Sequence, residues 1–422
     1  MTIHTSHIEA HNDKRIGEHR AQYAFLEQQL DKKGLRADDI AKRVAAFQVA
    51  VPSWALGAGG TRFGRFPIGG EPGNLTQKLD DAGLLHALTR SAGAISLHIP
   101  WDVPTDPAAT REQADALGIR FDAVNSNTFQ DQPGQHLSYK FGSLCNVTPA
   151  VRQQAIEHNL EVIEIGRQLG SKAITVWLAD GSSFPGQLDF RRALLHTQEA
   201  LQEIYRHLPD DWRMFIEYKP YEPNFYSMVV QDWGTSYFLA QCCGEKAFCL
   251  VDLGHHLPNT NIEQIVATLL MLRKLGGFHF NDSKYGDDDL TTGSIRPYQL
   301  FLIFNELVDG MEANELAWMI DASHNLKDPL EDLMQSLEAI RLAFAQALLV
   351  DRDALREAQA DNDVTRAQTL LQDAFRTDVR PLLREARRRS GAALEPLELY
   401  RDLNVRGRLI AERGTKTVAT GL

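Results

Sequence analysis

Residues 248–289 read FCLVDLGHHLPNTNIEQIVATLLMLRKLGGFHFNDSKYGDDD. A short apolar run, Phe248 to Asp252, ends in a carboxylate and passes into the loop Leu253-Gly254-His255-His256. Asn259-Thr260-Asn261 offers side-chain acceptors that can cap the next apolar-periodic stretch, Ile262 to Lys274. A second apolar segment then delivers His279 and runs into a polar loop with an Asp-x-Asp pair, Asp287 and Asp289. Strand, helix and strand in this order form a βαβ unit, in which the two strands lie parallel.

The unit recurs on both sides. Short apolar segments read as strands at 47–54, 94–100, 119–125, 173–178, 214–217 and 317–320, with helices around Leu79 to Arg90, Pro149 to Leu169, Arg191 to His207 and Pro297 to Val308. A glycine-rich loop, Gly57 to Arg62, follows the first strand. Eight strands alternating with helices predict a parallel α/β architecture, and eight is the number that closes a (β/α)8 TIM barrel; a doubly wound open sheet is the competing reading. The barrel is favoured by where the unusual residues fall. Trp54, His98, Asn125, Trp177, Glu217, Asp252, His279 and Asp321 stand at or just before the C-terminal ends of their strands, where barrel enzymes place their chemistry.

Outside the barrel, taken as residues 47–330, residues 1–46 read as a helical N-terminal segment and 331–422 as a C-terminal helical extension that is expected to take part in subunit contacts. Arg387-Arg388-Arg389 falls at a predicted helix C-terminus and reads as a solvated cap that complements the helix dipole.

Composition narrows the function. A formal net charge of −12 argues against a nucleic-acid partner, which would require a basic stripe. Cys145, Cys242, Cys243 and Cys249 are spaced too irregularly for a disulfide framework or a Cys-x-x-Cys zinc site and read as free buried thiols. Residues 1–15 lack an apolar signal-peptide core, and no apolar run reaches the roughly 20 residues that span a bilayer. The expectation is a soluble cytoplasmic protein with no membrane partner.

A carboxylate at a strand end is usually a helix cap. Four consecutive strand ends offering Glu217, Asp252, His279 and Asp321 would, on one barrel face, bring three anions together, and a divalent ion would relieve their repulsion. A second constellation joins His255 to Asp287 and Asp289 through two adjacent loops, with His256, Asp282 and Asp288 as alternative ligands. Oxygen-rich, cysteine-free ligation suits Mn²⁺, Mg²⁺ or Co²⁺ better than structural zinc. Lys219 is two residues beyond Glu217, on the same side of the strand, and can polarise a carbonyl or pair with a metal carboxylate. Trp54, Phe129 and Trp177 suit the C–H face of a sugar.

Glu217-Tyr218-Lys219-Pro220 resembles the Glu-x-Lys-Pro segment of xylose isomerases, and Asp-x-Asp after a strand-end His resembles their second metal site. The runs Val51-Pro52-Ser53-Trp54, Leu97-His98-Ile99-Pro100-Trp101-Asp102, Asp252-Leu253-Gly254-His255-His256 and Gly277 to Asp289 resemble L-rhamnose isomerases of the bacterial, broad-specificity type. That resemblance implies a structural metal site at Glu217, Asp252, His279 and Asp321 and a catalytic one at His255, Asp287 and Asp289. It implies two divalent ions per subunit, with Mn²⁺ foremost and Co²⁺, Mg²⁺ or Zn²⁺ also suitable. It places Trp54, His98, Phe129, Trp177 and Lys219 in the substrate pocket and makes Lys219, Asp321 and His98 the candidate catalytic residues. The implied reaction is aldose–ketose isomerisation of L-rhamnose and other aldoses, by a homotetramer. His98 lies four residues from Asp102, not the three that separate the His–Asp pair of xylose isomerases. Other readings are an isomerase whose main substrate is another aldose, a metal-dependent phosphodiester hydrolase and a non-catalytic sugar-binding barrel.

Overall fold

The computed structural model describes residues 3–57, 66–178, 180, 184–222, 226–310, 315–323 and 326–415. The glycine-rich loop beyond Gly57, and the tail beyond Thr415, lie outside these residues.

Eight parallel strands close into a barrel in sequence order: β1 (Ala50–Pro52), β2 (Ala94–His98), β3 (Arg120–Asn125), β4 (Ala173–Trp177), β5 (Arg213–Glu217), β6 (Ala247–Asp252), β7 (Leu275–Phe280) and β8 (Ala317–Ile320). The last pairs with the first through Ala50 and Met319, so the open-sheet alternative does not apply. Three helices, α1 (Thr5–Asp13), α2 (Ile16–Asp31) and α3 (Ala37–Ala46), precede the barrel. The helices α4 (Leu75–Thr89), α5 (Pro107–Leu117), α6 (Pro149–Leu169), α7 (Phe190–Arg206), α8 (Trp233–Cys243), α9 (Ile262–Met271), α10 (Pro297–Val308) and α11 (Pro329–Ala347) each follow one strand. Five more complete the extension: α12 (Arg352–Ala360), α13 (Val364–Arg376), α14 (Arg380–Arg389), α15 (Pro396–Asp402) and α16 (Val405–Arg413). Among the described residues, no single helix is long and apolar enough to cross a membrane.

The first strand is shorter than the sequence suggests, because Ser53–Ala55 turns into a single 3-10 turn that lifts Trp54 towards the barrel mouth. Strand alternation does the rest of the positioning. Phe278 and Phe280 point outward and stack on Trp318, with ring centroids 5.6 and 6.1 Å away, which turns His279 between them inward. Phe304, Phe344 and Phe47 extend this aromatic layer between the sheet and α3, α10 and α11. Each such pair contributes about 0.5–1.5 kcal/mol beyond its burial, so the strand that carries His279 is held firmly.

Gly277 permits the approach of β7 to β8. A Cβ there would lie 2.3 Å from the Ala317 carbonyl oxygen and 2.8 Å from its nitrogen, both backbone atoms that cannot swing away. Gly277→Ala is therefore expected to cost about 1–3 kcal/mol by overpacking, read as a lower melting temperature. An unchanged melting temperature would show that the two strands can part freely.

The terminal helices clasp one another on the outside. His19 of α2 meets Glu385 of α14 at 2.9 Å, and Arg389 reaches Asp38 of α3 at 2.6 Å. The arginine run is therefore not a solvated cap. Arg387 is 3% exposed and ion-paired to Glu338, while Arg388 and Arg389 share Glu385. At the other end of the extension, Arg413 of α16 forms a bidentate pair with Asp81 of α4, both distances 2.8 Å.

Candidate active site

The four strand-end ligands do converge. Glu217, Asp252, His279 and Asp321 each offer one ligand atom, and these lie within 4.8 Å of one another. His279 Nδ1 faces all three carboxylates, at 3.0 Å from Glu217 Oε1, 3.5 Å from Asp321 Oδ2 and 3.9 Å from Asp252 Oδ2. A second group unites His255 and Asp287 with Asp252, so Asp252 belongs to both. His255 Nε2 lies 3.1 Å from Asp287 Oδ1, and its Nδ1 lies 3.4 Å from Glu217 Oε1. Glu217 thus touches both imidazoles. Asp289 lies in the same loop, but its carboxylate falls outside both groups.

The open alternatives are engaged elsewhere. The His256 ring meets the Tyr218 hydroxyl at 2.8 Å. Asp282 accepts the backbone N–H groups of Ile295 and Arg296 at 2.7 and 2.8 Å, ahead of α10. Asp288 accepts those of Lys284 and Tyr285 within its own turn. The loop bends sharply, with Asp287 and Asp289 at φ of 52° and 51°, a conformation Asp tolerates better than most residues. The Asp287 N–H donates to the Gly254 carbonyl at 2.9 Å, which ties the β7 loop to the β6 loop and brings Asp287 over His255.

Electrostatics match a cation site. Asp252 Oδ1 accepts from Gly254 N at 2.7 Å and Asn281 Nδ2 at 2.9 Å, but its buried Oδ2 has no hydrogen-bond donor among the described residues. Asp321 rises to about 7, first through burial and then through repulsion from Asp252 and Glu217, against the pull of His279. Asp252 is raised as well, by burial foremost, with Glu217 and Asp287 adding to it. Burial alone would depress the two histidines. Asp252 and Asp287 instead lift His255 to about 9, and Glu217, Asp321 and Asp252 lift His279 to about 9. This crowded set of oxygens, which draws positive charge towards both imidazoles, fits a hard or borderline divalent ion, for which the neutral rings would serve as ligands.

Beside the carboxylates stands an aromatic wall. The His98 ring stacks on Trp101 at 4.0 Å and meets Trp54 and Phe129 edge-on at 5.5 and 5.7 Å. Phe129 meets Trp177 at 4.5 Å, and Trp177 stacks over His255 at 6.4 Å. Trp54 Nε1 donates to Asp321 Oδ1 at 2.8 Å, which joins wall to carboxylates. Lys219, 2% exposed, lies 5.4 Å over the Trp177 ring and pairs with Glu222 at 2.5 Å and with Asp287. Lys219 thus faces the wall and pairs with a metal-group carboxylate, the second of the two readings its position offered. His98 is pushed down to about 3 by burial, with His158 and Lys78 adding like charge, so its ring is neutral at pH 7.

Sequence reasoning did not single out Trp101, Glu222 or Asn281. Asn281 had a signal, because it stands two residues beyond His279 and so returns to the same side of the strand.

No family model matches the chain. It is 55% identical over 417 residues to a Rhizobium meliloti (strain 1021) protein named "Probable sugar isomerase", covering 98% of this chain and 97% of that one. A Mesorhizobium japonicum protein of the same name is 52% identical over 418 residues, with 98% and 97% covered. The xylose isomerase of Thermus thermophilus is 25% identical over 259 residues, 57% of this chain and 64% of its own.

Proposed function

The chain belongs to the family of the two proteins named "Probable sugar isomerase", and on that premise we propose that it is a metal-dependent aldose–ketose isomerase that converts L-rhamnose to L-rhamnulose and accepts other aldoses. The observation that carries this reading is the meeting of two overlapping carboxylate–histidine groups with one aromatic wall. The proposed site holds two divalent ions, Mn²⁺ foremost. Glu217, Asp252, His279 and Asp321 hold one; His255 and Asp287, with Asp289 from the same loop, hold the other. A homotetramer is the proposed assembly.

Ions held there would supply Lewis acidity that stabilises negative charge on the sugar oxygens. The isomerisation moves one hydrogen between C1 and C2 and one proton between O2 and O1, so it consumes no electron acceptor. Lys219 Nζ donates a hydrogen bond to O1 and favours charge there. Asp321, the one half-buried ligand of its group, is the proposed base; an ion held beside it would keep its carboxylate ionised and able to accept a proton. Trp54, His98, Phe129 and Trp177 cover the C–H face of the sugar and exclude water; an apolar wall also suits a 6-deoxy sugar that ends in a methyl group.

The substrate is tested by incubating the Mn²⁺-loaded protein with a panel of aldoses, L-rhamnose included, and assaying ketose. The expected result is the highest kcat/KM on L-rhamnose. Ketose formed only from other aldoses would overturn the substrate and leave the reaction class standing.

A further inference from the structure

Asp102 lies behind the aromatic wall and touches none of the carboxylates. It is 1% exposed and fully occupied. Its Oδ1 accepts from Lys78 Nζ at 2.6 Å, and its Oδ2 accepts from Ser53 Oγ at 2.5 Å and from the backbone N–H of His98 at 2.9 Å. Its own N–H donates back to the His98 carbonyl at 2.9 Å. Lys78 is 2% and Ser53 0% exposed. The carboxylate engages the His98 backbone and not its ring, whose Nδ1 has no partner among the described residues.

Three elements therefore end on one carboxylate. Ser53 follows β1 and adjoins Trp54, His98 closes β2, and Lys78 sits on α4. One turn further along α4, the buried Asp81–Arg413 pair fixes that helix to α16. A buried ion pair adds little net stability over an apolar packing of the same shape, but its hydrogen bonds impose direction that apolar packing does not. The groups placed by that direction are the two aromatic side chains that begin the wall.

We propose that Lys78, Asp102 and Ser53 form a positioning unit that sets Trp54 and His98 against the sugar, and that Asp102 takes no part in proton transfer with the His98 ring. The proposal rests on the reading of the wall as a sugar site. An isomerase in which a His–Asp ring pair opens the sugar would need Asp102 on the imidazole, and this geometry assigns it to the chain behind.

The test compares Asp102→Asn, Lys78→Met and Ser53→Ala with wild type, measuring kcat and KM across pH, and the affinity for a non-reacting alditol by tryptophan fluorescence. In Asp102→Asn, KM and the alditol dissociation constant are expected to rise about tenfold while kcat falls less than about threefold, with the pH profile of kcat superposing on wild type. Ser53→Ala, which removes one hydrogen bond and keeps the ion pair, should raise both by about threefold. A kcat loss of about a hundredfold in Asp102→Asn, or the disappearance of one limb of its pH profile, would make Asp102 an acid–base group and overturn the proposal. Unchanged KM and alditol affinity would reduce the unit to a structural role and overturn it equally. If Asp102→Asn and Lys78→Met do not fold, Ser53→Ala decides. If wild type makes no ketose from any aldose, the isomerase reading fails, and the alditol titration still decides the positioning unit.

Discussion

Asp252→Asn is expected to lower kcat/KM by on the order of 10³-fold or more, with loss of bound metal and a folded chain. Asp252 is the residue common to both ligand groups. Its Oδ1 is satisfied by Gly254 and Asn281, and an asparagine oxygen can accept the same two donors, so the local backbone is kept. Its buried Oδ2 has no donor among the described residues and faces His279 Nδ1 at 3.9 Å. The substitution replaces that anionic oxygen by an N–H₂ group, which cannot ligate and repels a cation. Metal content per chain, measured by elemental analysis after dialysis, should fall below wild type together with the rate. Full occupancy with unchanged turnover would remove Asp252 from the site.

Lys219→Met should lower kcat by about 10²–10³ while KM changes little, the size of effect seen when one donor to a developing charge is removed. The structure adds a competing role, because Lys219 Nζ also pairs with Asp287 and Glu222. If Lys219 served only to hold Asp287 for the ion, raising the Mn²⁺ concentration would restore kcat in the variant. No such rescue is expected if Nζ is the donor to O1, as proposed. Measuring kcat over a series of metal concentrations separates the two roles.

The barrel and its mouth were legible because strand alternation is a local signal. Phe278-His279-Phe280 declares its inward residue as soon as the segment is read as a strand, and α6 and α10 begin at Pro149 and Pro297, as their prolines suggest. Two barrel helices were not read. In α5, Pro107–Leu117, the buried face offers only Ala114, too little apolar contrast to reveal a period; Asp106 before Pro107 was the available cue, and its side chain does cap the helix. In α8, Trp233–Cys243, apolar residues occur all round, which hides the stripe, and Asp232 is again the cap. The loop ligands were harder. Asp287 and Asp289 both sit at positive φ, outside strand periodicity, so their separation into one grouped carboxylate and one outside depends on the tie to Gly254. The role of Asp102 was hidden for a similar reason: its partners Lys78 and Ser53 are distant in sequence, and only the closed barrel brings them together.

The measurement that bears most directly on the central claim is the conversion of L-rhamnose, followed by proton NMR, before and after the protein is stripped of metal and then reloaded. The account predicts ketose signals from the Mn²⁺-loaded protein, none after chelation and dialysis, and recovery on readdition of Mn²⁺, with the circular dichroism of the stripped protein still that of a folded barrel. Full conversion by the thoroughly stripped protein would contradict it.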